Sequence, residues 1–484
     1  MSAALLLAVV IAYFALLFGV AHWASRRGGA VGNEGFFVGN RKSPWLLVAF
    51  GMIGTSLSGV TFISVPGGVG SGAFAYFQIA LGQTVGYALI AFVLLPLYYR
   101  LKVTSIYEVL ATRLGGEAQR TGSMFFLVSR LLGATARLYL VARVLHDGVL
   151  QPLVPTPLPF FVTAFALVAM VWLYTREGGV KAIVWTDTLQ TSGMLIGLVA
   201  CSVWVLQALN MDLADAWHAM TRTGLNQVIH EDPMARNFWI KQFLAGMAIA
   251  VAMTGLDQEM MQKNLSVPRL ADAQKNVLLM SALMLGVVFL FLWLGGLLHL
   301  FAAQAGITAR GDALFPTVVL QHLPLLAQIV FVLALVSALL PSADGALTAL
   351  TASTCLDLLR SKDRPEAEQT RLRTRVHLAY AAAFLLLVML FRWVDNPNMI
   401  LLILKLAGYT YGPLLGLFLF AMTASHRQTR AVLPIALTAP LLCWLIDRHQ
   451  AQLFGGWQIG LELLLLNAAL TYAGLWLASK GRHP

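Results

Sequence analysis

The stretch Gly51–Gly72, GMIGTSLSGVTFISVPGGVGSG, combines two properties that conflict in an ordinary helix. It is apolar enough to lie in a bilayer, yet it carries Gly51, Gly54 and Gly59, the hydroxyl residues Thr55, Ser56 and Ser58, and then Pro66-Gly67-Gly68. Such a run unwinds readily, and unwound backbone is tolerated at membrane depth only where protein or a cavity satisfies the freed carbonyls. The spacing predicts a broken membrane helix. Close helix packing through small residues is the competing reading of the same run.

The surrounding chain fixes the environment. Its 484 residues are 58% hydrophobic and 11% charged, with a mean hydropathy of +0.75, values that fit no soluble class and point to a polytopic membrane protein in a lipid bilayer. Lys and Arg number 33 against 22 Asp and Glu, a net charge of +11. These basic residues fall mostly in short loops between apolar segments, so they read as topology signals and not as a nucleic-acid surface. Cys201, Cys355 and Cys443 stand far apart in apolar segments, which supports neither a disulfide framework nor a cysteine metal site. The ten histidines lack metal-ligand spacing, no G-x-S-x-G elbow occurs, and PGGVGSG fits neither phosphate-loop pattern. An enzyme is therefore not expected, nor an organic cofactor or a transition metal.

Apolar runs long enough to span give thirteen candidate helices, at 3–24, 44–69, 74–99, 123–148, 156–174, 180–207, 238–261, 275–304, 327–358, 375–393, 398–423, 430–447 and 457–479. One transmembrane domain over 1–484 accounts for the whole sequence. The first segment has no basic residue before it and is followed by Arg26, Arg27, Arg41 and Lys42. That order predicts a retained helix with the N-terminus outside, and the odd number of crossings puts the C-terminus in the cytoplasm. The segment 208–236 contains LADAWHAM, in which Leu213, Trp217 and Met220 share a face, so a short amphipathic surface helix is expected there.

Polar groups inside the spans mark candidate sites. In SALLPSADGALTAL, Ser337–Leu350, Pro341 cannot donate to the carbonyl of Ser337, and Ser342 adds a hydroxyl to that oxygen-rich turn. Hard cations take oxygen ligands, and broken transporter helices use such carbonyls for coupling ions. Asp344 lies in the same turn, and Asp187, about 10 Å inside its own helix, falls at a similar depth. Intramembrane acids normally face a partner or a watery cavity. Arg130 and Arg137 lie seven apart on one helix face, where a guanidinium either receives a substrate carboxylate bidentately or neutralises Asp187 or Asp344. Arg143 is near a helix end, and Lys405 lies about seven residues inside its segment, within snorkelling reach.

With GGVKAIVWTDTLQ, GLDQEMMQKNLSV and the ninth segment ending in TCLD, the chain from about 35 to 425 resembles the sodium/solute symporter family, which includes sodium-coupled sugar, proline and sialic acid carriers. The resemblance implies an all-α membrane fold of two inverted five-helix repeats with broken helices, here about 44–207 and 238–423, with 3–24, 430–447 and 457–479 as extra helices. It implies one or two sodium ions. The principal ion site maps onto carbonyls of Gly54, Leu57 and Ala338 and onto hydroxyls at 341 and 342, of which only Ser342 keeps its oxygen. A second site, where members have one, uses the acid matching Asp187 and hydroxyls at positions that here hold Pro341, Asp344 and Gly345. Substrate-contacting positions of the sialic acid carriers match Ser56, Ser58 and Thr61 and an arginine in an F-x-x-x-R context, reproduced by Phe126–Arg130. Positions that contact sugar in the galactose carriers fall on Ala250, Met253 and Lys405, which lack most of the polar groups a sugar needs. The expected function is sodium-coupled import of a small organic solute, a carboxylate or other anion, at the cell membrane by alternating access. A proton-coupled carrier or a sugar symporter of the same fold, and a membrane-embedded sensor, are the alternatives.

Overall fold

The computed structural model describes residues 2–26, 41–151, 158–361, 364–393, 398–424 and 431–480. Arg27 and Lys362 lie outside the described residues, as do the side chains of Arg26, Arg176 and Lys181. Helix α1 (Ser2–Arg26) comes first. A bent pair follows, α2 (Trp45–Ser56) and α3 (Gly59–Gly72), and then α4 (Tyr76–Leu101), short α5 (Glu108–Leu114), α6 (Gly116–Leu150) and α7 (Phe160–Ala208). The surface helix α8 (Leu213–Thr223) separates this series from a second one. That series opens with another bent pair, α9 (Trp239–Gly255) and α10 (Gln258–Leu265), and continues through α11 (Leu270–Ala305), short α12 (Leu314–His322), α13 (Leu325–Leu358), α14 (Glu366–Phe391) and α15 (Met399–Thr423). Helices α16 (Val432–Phe454) and α17 (Leu463–Lys480) complete the described chain.

Each of the thirteen apolar segments is helical, but 156–174 and 180–207 share the single continuous helix α7. Among the described residues nine helices are long and apolar enough to cross a membrane, eleven when each bent pair counts as one span, and Phe160–Leu173 and Leu463–Ser479 are shorter apolar helices. Phe92, Ile196, Leu386 and Leu441 stand 61–67% exposed, an outer surface suited to lipid and not to water. The helical backbone of α7 runs for 49 residues, about 74 Å at the helical rise and more than twice the thickness of a hydrocarbon core. Its packing resolves two limbs. Thr163 meets His146 at the end of α6, and further along Gly193 packs on Ser337. Both contacts lie near one level, because Val141 and Leu339 both flank Gly59.

The two series run in opposite senses. Helix α2 starts where Ser43 N donates to Ser266 O (3.0 Å), and α3 ends where Phe74 N donates to Gln227 O (3.0 Å). Helix α9 starts where Trp239 N donates to His230 O (2.9 Å), and α10 ends at Ser266. The second bent pair therefore reverses the first, and the same order follows each: one span, a short helix, then the remaining three spans of a five-span series in which the pair is the first. The face at Ser266 gathers Arg41, whose guanidinium donates to Val103 O (3.0 Å), with Lys102 beside it; it is called the basic face below. The far face carries α8, whose Asp212 caps the helix by accepting from Asp215 N (2.8 Å). Of the expected apolar face of α8, Met220 packs against Gly296 of α11 and Trp217 stacks on Trp293, whereas Leu213 stands exposed.

Close approach of α4 and α9 rests on missing side chains. A Cβ on Gly82 would collide with Phe243 O, one on Gly246 with Ile79 O, and one on Gly86 would sit 2.5 Å from Met247 O. Without a hydrophobic driving force between helices in lipid, such small-residue contacts let backbones pack. Gly82→Val should therefore destabilise the protein by about 1–3 kcal/mol through overpacking, whereas Gly133→Ala, where a Cβ meets nothing within 4 Å, should be neutral or slightly stabilising. Thermal unfolding of both variants in detergent checks this, and equal midpoints would refute it.

Candidate functional site

Both bent pairs break where the sequence changes from apolar to small and polar residues. Helices α2 and α3 meet at 55° and α9 and α10 at 64°. At the first break Leu57 takes φ −96°, ψ 82°, and Ser58 is extended with ψ 173°. Leu57 N closes the last helical bond onto Ile53 O (2.7 Å), so the carbonyls of residues 54–57 lie past the end of α2. At the second break the freed carbonyls are capped by tyrosines: Tyr98 donates to Gly255 O (2.8 Å) and Tyr107 to Leu256 O (3.0 Å). No side chain among the described residues donates to the carbonyls of 54–57. One break is sealed and the other offers bare oxygens.

Helix α10 gathers the buried charges. Asp257 caps its start, accepting from Glu259 N (2.9 Å) and Met260 N (3.2 Å) through Oδ1 and from Tyr411 of α15 through Oδ2 (2.7 Å). Arg130 of α6 pairs with Glu259 and lies 3.6 Å from Asp257. Lys263 Nζ donates to Asp187 Oδ2 of α7 (2.7 Å) and to Thr55 Oγ1 of α2 (2.6 Å), and stands 3.5 Å from Glu259. Gln258 accepts from Ile106 N (2.9 Å) and donates to Thr104 O (2.9 Å) in the loop before α5. A single short helix thus ties α2, α6, α7, α15 and the basic-face loop together, and these groups fill the way from the molecule's centre towards that face.

Above the network lies a central cavity of about 70 Å³. Ser56, Ser58, Thr61, Gln83, Arg130 and Arg137 form its polar wall, and Met253, Ile403 and Leu404 belong to the apolar one. Tyr76 and Ile400 separate it from a vestibule of about 610 Å³ towards the far face, lined among others by Ser64, Arg236, Asn398, Lys405 and Asp447. At the rim Gly67 of α3 packs against the backbone of Gly311, and the adjacent Asp312 accepts from Met399 N at the start of α15 (2.8 Å).

The predicted residues divide. Ser56, Ser58, Thr61 and Arg130 line the central cavity together, but Arg130 is already engaged by Glu259 and Asp257. Lys405 does not line it: the ammonium stands in the vestibule, 2.7 Å from Asp447 of α16. Its segment is tilted so that Ile403 and Leu404 face the cavity instead. The alternative in which Arg130 or Arg137 neutralises Asp187 is also corrected, since Lys263 does that. Arg137 reaches the cavity with no carboxylate within ion-pair distance among the described residues, the nearest acidic influence being Asp257 at longer range. Around the first break, Gly54 faces Thr191 and the Pro341 ring, 3.5 Å from where a Cβ would stand. Leu57, Ala338 and Ser342 are buried beside it, with the Ser342 hydroxyl turned back onto Leu339 O (2.8 Å). Helix α13 continues through Pro341, so Ser337 O is the carbonyl that loses its helical donor there. Asp344 is fully buried and accepts from Gly345 N (2.5 Å), and the neighbouring Gly345 abuts Glu259 of the Lys263–Asp187 network. Sequence reasoning missed Asp257, Glu259 and Lys263, although all three stand in GLDQEMMQKNLSV, a stretch of charged residues amid apolar spans.

Comparison with known proteins agrees with this geometry. A family model described as sodium:solute symporter family matches residues 36–433. The human sodium/iodide cotransporter is 24% identical over 86% of this chain, which spans 65% of that protein's length. The sodium/sialic acid symporter NanT of Aliivibrio fischeri is 22% identical over 95% of this chain and 91% of its own. A solved structure of a Na+-coupled sialic acid symporter in a substrate-bound outward-open state superposes with a TM-score of 0.83 at 15% identity, covering 99% of this chain and 98% of that one, and so shares its fold.

Two outcomes follow from the charges. Lys263 and Asp187 are 3% and 0% exposed, so Lys263→Met strands a buried carboxylate and should cost about 3–5 kcal/mol, whereas Lys263→Met with Asp187→Asn should recover most of that loss in unfolding measurements. Burial raises the Asp312 carboxyl from 3.8 to about 6. The folded form then holds this proton more tightly than the unfolded chain, so stability gains as pH falls from 7 through 6 towards 4. Asp312→Asn should flatten that part of the wild-type profile, read as unfolding midpoints between pH 7 and 5; an identical profile in the variant would assign the pH response elsewhere.

Proposed function

Because the chain belongs to the sodium:solute symporter family, we propose that it is a multi-pass secondary transporter, and no enzyme, that imports a small organic anion together with sodium by alternating access. The observation that carries the substrate class is Arg137: an arginine with no ion pair among the described residues, in a cavity whose polar lining it shares with the hydroxyl-rich turn Ser56, Ser58 and Thr61. A guanidinium beside hydroxyl donors is suited to a carboxylate, which it grips with two parallel hydrogen bonds. The A. fischeri relative, named for sialic acid, supports a carboxylate substrate. Ala250 and Met253 on the same cavity wall offer a sugar no hydrogen bonds.

Sodium is assigned to the first break, beside the bare carbonyls of Gly54 and Leu57, where Ala338 and Ser342 of α13 and Asp187 of α7 come close. The basic face is assigned to the cytoplasm by its Lys and Arg loops, with the N-terminus outside and the C-terminus inside. The vestibule then opens outwards, and the α10 network is the inner closure. Transport to the inside requires Arg130 to leave Glu259 and Gln258 to leave the 104–106 loop. The two repeats, about 44–207 and 238–423, would rock against each other about the central cavity.

Uptake into proteoliposomes, with a panel of labelled carboxylates and sugars, tests the reading. A carboxylate should accumulate under a sodium gradient, and Arg137→Gln should raise its KM by about 10- to 150-fold, the worth of a charge-assisted hydrogen-bond pair of 1.5–3 kcal/mol. Accumulation driven by a pH gradient without sodium would replace sodium with proton coupling, and an unchanged KM in Arg137→Gln would remove the arginine from the substrate site.

A further inference from the structure

Position 341 carries no hydroxyl, and a buried hydroxyl without a partner stands nearby on a different helix. Position 341 faces the first break, since the Pro341 ring lies 3.5 Å from the point where a Cβ of Gly54 would stand, and a proline brings no oxygen to it. The Thr191 hydroxyl of α7 reaches the same point from the other side. Thr191 is completely buried, and its Oγ1 has no hydrogen-bond partner.

That lack is unusual for this helix. A buried helical threonine or serine ordinarily donates to the carbonyl four residues earlier. Thr188 does so to Val184 O (2.8 Å), Ser192 to Thr188 O (2.8 Å) and Ser202 to Leu198 O (2.8 Å). Thr191 does not turn back on Asp187 O, and its oxygen is presented to the break instead. One turn before it, Asp187 uses Oδ2 for Lys263 and Thr55, while its Oδ1 is buried with no partner. Residues 187 and 191 share a helix face, and the residues opposite them on α2 are Gly51 and Gly54. Two partnerless oxygens, one of them on a carboxylate, thus stand at a close α2–α7 contact that only glycines permit, since a Cβ on Gly54 would strike the Thr191 hydroxyl and one on Gly51 would sit 3.1 Å from Asp187 Cβ, next to the carbonyls left bare past the end of α2. Oxygen donors including a carboxylate are what a small hard cation requires once it sheds water.

Resting on the sodium-coupled reading above, we propose that Thr191 Oγ1 supplies the hydroxyl ligand of the coupling cation that residue 341 no longer provides, with Asp187 Oδ1 as its charged ligand. The cation then sits between α2 and α7, displaced from the α2–α13 seam. Lys263 and Thr55, by occupying Oδ2, fix the carboxylate and leave Oδ1 as its free oxygen.

The test uses the purified full-length protein and its thermal midpoint as a function of NaCl, with choline chloride holding ionic strength constant. Thr191→Ser keeps the oxygen and should hold the half-stabilising sodium concentration within about threefold, the scatter expected when context changes and the ligand does not. Thr191→Val, of the same shape, should raise it more than about tenfold, and so should Thr191→Cys, whose sulfur is a poor ligand for a hard cation. Adding Pro341→Ser to Thr191→Val should restore the wild-type sodium response. Should the valine variant not fold, the cysteine variant and Thr191→Cys with Pro341→Ser carry the comparison. A sodium response in wild type that Thr191→Val and Thr191→Cys leave unchanged, or that Thr191→Ser loses equally, overturns this assignment and leaves the symporter reading standing. A wild-type midpoint indifferent to sodium against choline overturns the sodium reading together with it.

Discussion

In hydrocarbon a peptide group must find its hydrogen bond within the protein, and the architecture turns on how that constraint is met at two interruptions. Helices α9 and α10 break within a compact turn whose carbonyls are closed by Tyr98 and Tyr107. Helices α2 and α3 break between Ser56 and Gly59, and the carbonyls there receive no side-chain donor among the described residues. Unsatisfied backbone of this kind is costly where water is absent. It persists because α6, α7 and α13 press on the break from several sides, with Val141, Thr191 and Leu339 each touching the space beside its glycines. The surrounding bundle holds open what local chain preference alone would close.

The buried charges obey a related rule. An ion pair removed from water is weak evidence of stability, yet stranding one member of it is expensive. The cluster on α10 spreads its charges so that each formal ion has at least one opposite neighbour: Lys263 with Asp187 and Glu259, Arg130 with Glu259 and Asp257. Partners come from four other helices, so the geometry survives only while those helices keep their relative places. A network of this type favours one arrangement of a bistable bundle and comes apart as a unit when the helices shift.

The helices were legible because hydropathy is a one-dimensional property: every predicted segment is helical, although 156–174 and 180–207 run together as one helix, and both breaks fall where glycine, serine or threonine interrupts an apolar run. Azimuth was not legible. Lys405 and Leu404 are neighbours in sequence at nearly one depth, but only Leu404 points into the cavity, and a lysine with Asp447 in reach turns away from it. Arg130 and Arg137 lie on one face of α6 and differ in what stands opposite, which is decided by Asp257 and Glu259 more than a hundred residues away. Depth follows from counting residues from a membrane boundary; pairing follows from tertiary packing. Lys263 could have been weighed from its spacing, since it follows Glu259 by one turn, but nothing local to it announces Asp187.

The unequal sealing of the two breaks has a mechanical consequence. The α9–α10 bend is cross-linked by hydroxyl donors from α4 and from the loop beside α5, so it behaves as a rigid elbow that moves with those elements. The α2–α3 bend has no such cross-link, and its compliance is set by whatever occupies the space beside its carbonyls. A guest supplying positive charge there would act as a removable strut: present, it stiffens the bend and fixes the angle between two half-helices; absent, it leaves a softer joint. In such a design stiffness would be carried by a diffusible component, and one polypeptide would have two elasticities according to the salt on one side of the membrane.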